Sequence, residues 1–179
     1  MEKKYKLTDE TINLCGKKLC RIKALKDFED VKKGDKGGFI EDEHNLSHDG
    51  NSWVYGNARV YGDARVYGNA MVYGNAWVCG NARVCGDAMV CGDAMVCGNA
   101  WVYGNIKIEN NFDYIVFKNW WSSGRYFTWT RRNDMWKVGC FYGTGEELIK
   151  KAYKDSELSG RQYERIVKYV EEIKKENGE

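Results

Sequence analysis

Residues 53–106 read WVYGNA RVYGDA RVYGNA MVYGNA WVCGNA RVCGDA MVCGDA MVCGNA WVYGNI, which is one six-residue unit repeated nine times. A short fixed period of this kind is the sequence signature of a solenoid, in which successive units stack on one another. Such a stack buries its own core and presents repeated columns on its surface. Specific chemistry must therefore be sought in those columns or at the two ends of the array.

Each unit has the form x-Val-(Tyr/Cys)-Gly-(Asn/Asp)-Ala. The Ala of one unit and the Val of the next are two residues apart, so they share one face of a short strand, while x and the Tyr or Cys share the other. Gly and Asn/Asp tolerate positive φ and turn the chain at each corner. Three units are expected to close a triangular coil of 18 residues, with successive coils about 4.8 Å apart.

The pattern resembles the hexapeptide-repeat left-handed β-helix, in which one aliphatic and one small residue of each hexapeptide point inward. Val54 and its equivalents take the aliphatic position here, and Ala58 and its equivalents take the small one. The resemblance covers about a third of the chain. It implies a mainly β protein built on a left-handed parallel β-helix, and, because such β-helices are commonly trimers, it implies a homotrimer.

Residues 18 apart should stack in columns on the three sides of the coil. The outward positions before the valines are Trp53, Met71 and Met89 on the first side, Arg59, Trp77 and Met95 on the second, and Arg65, Arg83 and Trp101 on the third. Each corner column holds one Asp among Asn residues. The first side is so apolar that we expect another subunit or the terminal segments to cover it.

The seven cysteines are expected to be reduced packing residues. The segment MEKKYKLTDE has no apolar core and no stretch of the chain is apolar enough to span a membrane, which favours the reducing cytoplasm of a bacterial host cell. Cys79 and Cys97 should stack on one side, whereas Cys85 and Cys91 face elsewhere, so we expect no zinc site. No metal and no cofactor are predicted.

The sequence divides into three parts. Residues 1–52 should form a hairpin and an irregular capping coil, 53–110 the β-helix, and 111–179 a C-terminal α+β domain. In that domain three strand-like runs, at 114–118, 125–130 and 136–141, predict an antiparallel meander. Two helices follow, at about 144–154 and 159–175, with predicted capping boxes Thr144/Glu147 and Ser159/Gln162.

The C-terminal domain also carries the candidate binding residues. Alternation along the middle strand places Arg125, Trp129 and Arg131 on one face, where aromatic and guanidinium groups can stack bases and hold phosphates. The Gly-rich turn that leads into the first helix offers backbone N–H groups to an anion. The predicted ligand-binding set is Arg125, Trp129, Arg131, Lys137, Tyr142, Gly143, Thr144 and Gly145. The alternative is that the aromatics form the core of a small sheet with a solvated basic rim.

The chain is also similar, in three places, to a group of small proteins from phages and prophages of Firmicutes. These places are the Gly-Gly-Phe-Ile and Asn-Leu-Ser segments at 37–40 and 45–47, the Val-Tyr-Gly-Asn-Ala array, and the Gly-Cys-Phe-x-Gly-Thr turn at 139–144. The resemblance implies a phage origin and this architecture. It implies no mechanism.

Three functions are compatible with these features. The first is a non-enzymatic binding protein that sequesters a nucleotide-like host signal or blocks a host defence protein. The second is a structural or interaction scaffold with the β-helix as a spacer. The third is an acyltransferase, which hexapeptide β-helices often are, but the array holds no His, and His44 and His48 lie before it. We predict no enzyme activity, no membrane partner and no specific nucleic-acid motif.

Overall fold

The computed structural model describes residues 2–178 and separates into two compact units, of which the first ends at Ile115 and the second begins at Val116. The first unit holds an N-terminal hairpin and a parallel β-solenoid. The second holds most of a four-stranded antiparallel sheet and two helices. The predicted mainly β fold with a C-terminal sheet and two helices is confirmed.

The N-terminal segment folds as the predicted hairpin and leads into the solenoid. Strands β1 (Tyr5–Leu14) and β2 (Lys17–Ala24) are antiparallel, and the turn between them places Gly16 at a φ of 76°. Strand β3 (Lys36–Ile40) pairs antiparallel with β2 on one edge and parallel with the solenoid on the other. Residues 36–40 therefore begin the first coil.

The solenoid makes about four turns from short strands. They are β4 (Trp53–Val54), β5 (Arg59–Val60), β6 (Arg65–Val66), β7 (Met71–Val72), β8 (Trp77–Val78), β9 (Arg83–Cys85), β10 (Met89–Val90), β11 (Met95–Val96), β12 (Trp101–Tyr103) and β13 (Lys107–Ile108). Parallel pairing joins residues 18 apart, as in Val54 with Val72 and Val60 with Val78. The repeated Val and Ala side chains are at most 1% exposed. The predicted 18-residue coil is confirmed.

The corners of the coil depend on backbone conformation and on short side-chain ladders. The repeat glycines adopt positive φ, between 55° at Gly56 and 87° at Gly104. In two corner columns the Asn amide donates to the Asp one coil above: Asn69 Nδ2 to Asp87 Oδ1 at 3.0 Å, and Asn75 Nδ2 to Asp93 Oδ1 at 3.1 Å. Stacked Asn and Asp side chains thus connect neighbouring coils.

The N-terminal end of the solenoid is closed by local hydrogen bonds. The buried Asn45 side chain donates to the carbonyl oxygens of Gly62 and Ala64, both at 2.9 Å. Trp53, on the first side, lies in the core against Phe28 and Tyr5, with ring centroids 5.3 and 6.1 Å away. The N-terminal segment therefore covers this part of the apolar side.

The opposite end of the solenoid is closed by the chain that leaves it. Asn111 Oδ1 accepts a hydrogen bond from Met95 N at 2.8 Å. The Tyr114 hydroxyl donates to Met95 O and accepts from Cys97 N. These contacts occupy backbone groups that an open strand edge would leave unpaired.

The C-terminal antiparallel sheet contains one more strand than the sequence predicts. The strands lie in the order β14 (Tyr114–Lys118), β15 (Tyr126–Thr130), β16 (Met135–Val138) and β17 (Phe141–Gly143). There are four rather than three because Gly139, at a φ of 54°, divides the third predicted run into two strands. Helices α1 (Gly145–Asp155) and α2 (Glu157–Glu176) follow. Neither helix is long and apolar enough to span a membrane.

The Thr144/Glu147 capping box is confirmed, whereas the predicted start of α2 is wrong. The α2 cap is Ser156, whose Oγ accepts from Ser159 N at 3.1 Å, and Ser159 is buried inside the helix. Placing the cap at Ser156 starts α2 two residues after α1 ends.

The cysteines differ from the prediction in one respect. Cys79 and Cys97 do stack on adjacent strands, but they form a disulfide, with Cα atoms 4.6 Å apart, so their assignment as free packing thiols is wrong. Cα separations of this size are compatible with a disulfide. Cys85 and Cys91 are free and buried, and Cys85 Sγ accepts from Trp101 Nε1 at 3.2 Å.

Candidate functional site

Phe127, Trp129 and Trp136 form the aromatic core of the sheet in the second unit. Phe127, Trp129 and Trp136 are each at most 3% exposed, and Phe117 stacks on Phe127 with ring centroids 5.4 Å apart. The Trp129 indole N–H donates to Asp134 Oδ1 at 2.8 Å. A ring buried and hydrogen-bonded in this way presents no free face to a base. The structure thus places Trp129 where the alternative interpretation, an aromatic core, expects it.

The turn into α1 is already occupied by the chain's own carboxylate. Thr144 N donates to Glu147 Oε2 at 2.9 Å, and Glu147 N donates to Thr144 Oγ1 at 3.3 Å. A Cβ on Gly143 would lie 2.6 Å from Glu147 Oε2, so this glycine makes room for the cap. Thr144 and Gly145 line a cavity of about 300 Å³ whose wall includes Asp134, Glu146 and Glu171. Its negative charge disfavours an anion there.

The remaining predicted residues are divided between different environments. Lys137 is 8% exposed on β16 and pairs in register with Tyr142 on β17, whose hydroxyl accepts from Asn133 Nδ2 at 3.1 Å. Arg131 is exposed at the end of β15. Arg125 lies before that strand and lines a separate cavity. The eight predicted residues are therefore not gathered around one cavity.

The cavity at Arg125 combines charge, hydrogen-bonding groups and an apolar wall. Its volume is about 310 Å³. Arg125 and Lys151 supply positive charge, and Asp155 supplies negative charge. The uncharged polar groups belong to Asn119, Ser122, Ser123, Ser159 and Tyr163. The apolar wall is formed by Val138, Phe141, Leu148 and Ala152. A small number of polar groups set in an apolar wall is the usual composition of a small-molecule site.

Asn119 is the most informative residue of this cavity. It is 4% exposed; its backbone N donates to Arg125 O at 2.8 Å, and its Nδ2 donates to the Tyr163 hydroxyl at 3.1 Å. Its Oδ1 is buried and has no hydrogen-bond partner within residues 2–178, and the same holds for Nε1 of neighbouring Trp121. An unpaired buried polar group costs about 1–3 kcal/mol. A ligand that donates a hydrogen bond to Oδ1 would remove this cost.

Among the residues that line this cavity, Tyr163 has a shifted pKa. Burial raises the pKa of its phenol, the negative charge of Asp155 adds to this effect, and the hydrogen bond from Asn119 and the positive charge of Arg125 oppose it. Tyr163 is therefore a neutral hydroxyl that can donate or accept. The sequence pointed to Arg125 but not to Asn119, which stands alone between a strand and a turn and belongs to no pattern.

One comparison with known proteins concerns the solenoid. A family model described as YdcK Beta solenoid repeat matches residues 54–66 and 64–80. No curated protein matches the chain. The matched segments contain Val54 of β4, all of β5–β8 and none of the second unit. The chain is thus similar to the YdcK β-solenoid repeat over residues 54–80, and its C-terminal unit has no counterpart in that match.

Proposed function

We propose that the protein is a non-enzymatic binding protein whose C-terminal unit holds a small, nucleotide-like ligand with an anionic group. The observation that carries the proposal is the buried, unpaired Oδ1 of Asn119 beside a cavity that also contains Arg125. In this proposal the solenoid is a rigid support.

The cavity offers complementary groups to such a ligand. Arg125 and Lys151 attract a phosphate, and a guanidinium can bind it through two parallel N–H···O bonds. Asn119 Oδ1 would accept from an amino or imino group of a base. The apolar wall formed by Val138 and Leu148 suits the faces of a planar ring. A volume of about 310 Å³ lies at the lower end of the range for small-molecule sites.

The proposal is tested by thermal denaturation with a panel of nucleoside monophosphates, diphosphates and cyclic nucleotides. At least one should raise the Tm of the wild-type protein, and Arg125→Gln should abolish that shift. Arg165→Gln removes an exposed charge of α2 that does not line the cavity, and is the matched control. If no nucleotide shifts the wild-type Tm, or if Arg125→Gln keeps the shift, the proposed function is wrong.

A second candidate is an interaction scaffold that assembles with copies of itself. The observation in its favour is that the second unit exposes large apolar side chains, with Trp120 at 76%, Leu158 at 53% and Tyr169 at 54%. Where such side chains form one contiguous patch, that patch often belongs to an interface. Light scattering during size exclusion measures the mass directly. A homotrimer would weigh three times the 20.6 kDa of one chain, and a monomeric mass would contradict this candidate.

A further inference from the structure

The third side of the solenoid carries two positive charges in register. Arg65 on β6 and Arg83 on β9 are paired directly across adjacent parallel strands, and both side chains are exposed. The Arg83 guanidinium lies 5.2 Å from the Trp101 ring centroid. Within residues 2–178, no carboxylate lies within ion-pair distance of either arginine. Like charges directly opposite each other on neighbouring strands are destabilising unless something neutralises them.

A groove of about 530 Å³ adjoins this pair. Its wall is formed by the two arginines together with Glu43, His44, Ser47, His48 and Tyr67, and its base by the buried Leu46 and Val66. The one acid in this set, Glu43, accepts two hydrogen bonds from Lys3 Nζ, at 2.6 and 3.0 Å. The charge of the groove is therefore dominated by the arginines.

Two further polar side chains, His48 and Tyr67, line the groove. His48 Nδ1 accepts from Lys4 N at 3.2 Å, which places the proton of the neutral ring on Nε2. This Nε2 is buried and has no hydrogen-bond partner in the described chain, with Glu43 Oε2 3.7 Å away. Burial, with a smaller contribution from the hydrogen bond to Cys85, raises the pKa of Tyr67 to about 12. Tyr67 therefore keeps its proton near neutral pH.

We propose that this groove is a binding site for a compact oxyanion with two or more negative charges, such as a phosphate or diphosphate group. Arg65 and Arg83 supply two planar sets of donors on adjacent coils, a geometry that suits oxygens spaced over a few ångströms. Binding would neutralise the like-charged pair. The site lies wholly within the first unit and does not depend on the cavity at Arg125.

The test is isothermal titration with inorganic pyrophosphate and with inorganic phosphate, at constant ionic strength and physiological salt. We expect saturable binding of one pyrophosphate, tighter than that of phosphate. Arg65→Gln and Arg83→Gln should each weaken it at least tenfold. The matched control is Arg59→Gln, because Arg59 occupies the same position of its unit and lies 5.3 Å from the Trp77 ring centroid, but does not line the groove.

The outcomes separate the possibilities. Retained binding in Arg59→Gln and Arg125→Gln, with loss in Arg65→Gln and Arg83→Gln, supports the site. Absence of saturable binding overturns it, as does an equal loss in Arg59→Gln. Circular dichroism of each variant establishes that the solenoid is folded. A failure of the nucleotide assay has no bearing on this result, because the two sites use different residues.

Discussion

Two glycines at equivalent corners of the solenoid should respond very differently to the same substitution. Gly80 and Gly98 stack in one column, with φ of 66° and 69°. A Cβ on Gly80 would lie 3.0 Å from Gly98 N and 3.1 Å from Gly98 O, whereas a Cβ on Gly98 would meet nothing within 4 Å. Both variants place alanine in the left-handed region, but Gly80→Ala alone brings it against the next coil.

The expected magnitudes follow from these two effects. Holding alanine in the left-handed conformation lowers the free energy of unfolding by about 1–2 kcal/mol. The lower conformational entropy of alanine in the unfolded chain offsets about 0.4–1 kcal/mol of this. Gly98→Ala should therefore cost about 1 kcal/mol. Gly80→Ala adds a backbone clash comparable to overpacking, about 1–3 kcal/mol, for a total of about 2–4 kcal/mol. At about 2–4 °C per kcal/mol, its Tm should fall by about 6 °C more than that of Gly98→Ala.

The assay is thermal denaturation followed by circular dichroism, with urea denaturation as a second measurement. Both variants keep the Cys79–Cys97 disulfide, so that bond does not bias the comparison. Equal destabilisation by the two substitutions would refute the reasoning, because it would mean that stacking of corner glycines places no steric demand on the next coil.

Three more predictions concern other contacts. The Cys79→Ser/Cys97→Ser variant should be less stable by about 3 kcal/mol in a urea titration, because the disulfide closes a loop of 18 residues; an unchanged midpoint would count against this. Asn45→Ala should lower the free energy of unfolding by about 3 kcal/mol, because the hydrogen bonds to Gly62 and Ala64 are lost. The control Asn57→Ala, at an exposed position, should lower it by less than about 0.5 kcal/mol. Burial, reinforced by Lys26, lowers the pKa of Lys4 to about 8. Between that value and an unfolded pKa of about 10.4, the unfolded chain binds more protons than the folded chain, so the free energy of unfolding should rise with pH. The rise should be at most about 3 kcal/mol relative to Lys4→Met. Identical pH profiles of the two proteins in urea denaturation would contradict this prediction.

The solenoid was predictable because the six-residue unit specifies strand, corner and inward face locally, and repetition then sets which residues stack. The second unit follows no such rule. Thr128 and Trp129 are both buried, so alternation along β15 does not distinguish a core face from a binding face. Ser156 caps α2 without Glu or Gln three residues later, and the capping-box pattern therefore favoured Ser159.

The site residues were less predictable still. Asn119 becomes informative through a missing hydrogen-bond partner, and such an absence is a property of the folded environment rather than of the residue type. The Cys79–Cys97 disulfide likewise depends on the folded environment and not on residue type alone. Stacking at a spacing of 18 predicts that the two residues are neighbours, but bond formation depends on how closely their side chains approach.

The Asn and Asp side chains at the corners have a consequence for how the array can change length. Asp63 and Asp87 lie four units apart and on different columns. Loss of any one six-residue unit between them would bring them to a spacing of 18 and stack two carboxylates about 4.8 Å apart. Loss of 18 residues leaves every side chain in its own column, with at most one Asp in each. For loss of units between Asp63 and Asp87, the corner carboxylates thus favour shortening by whole coils over shortening by single units, through like-charge repulsion alone.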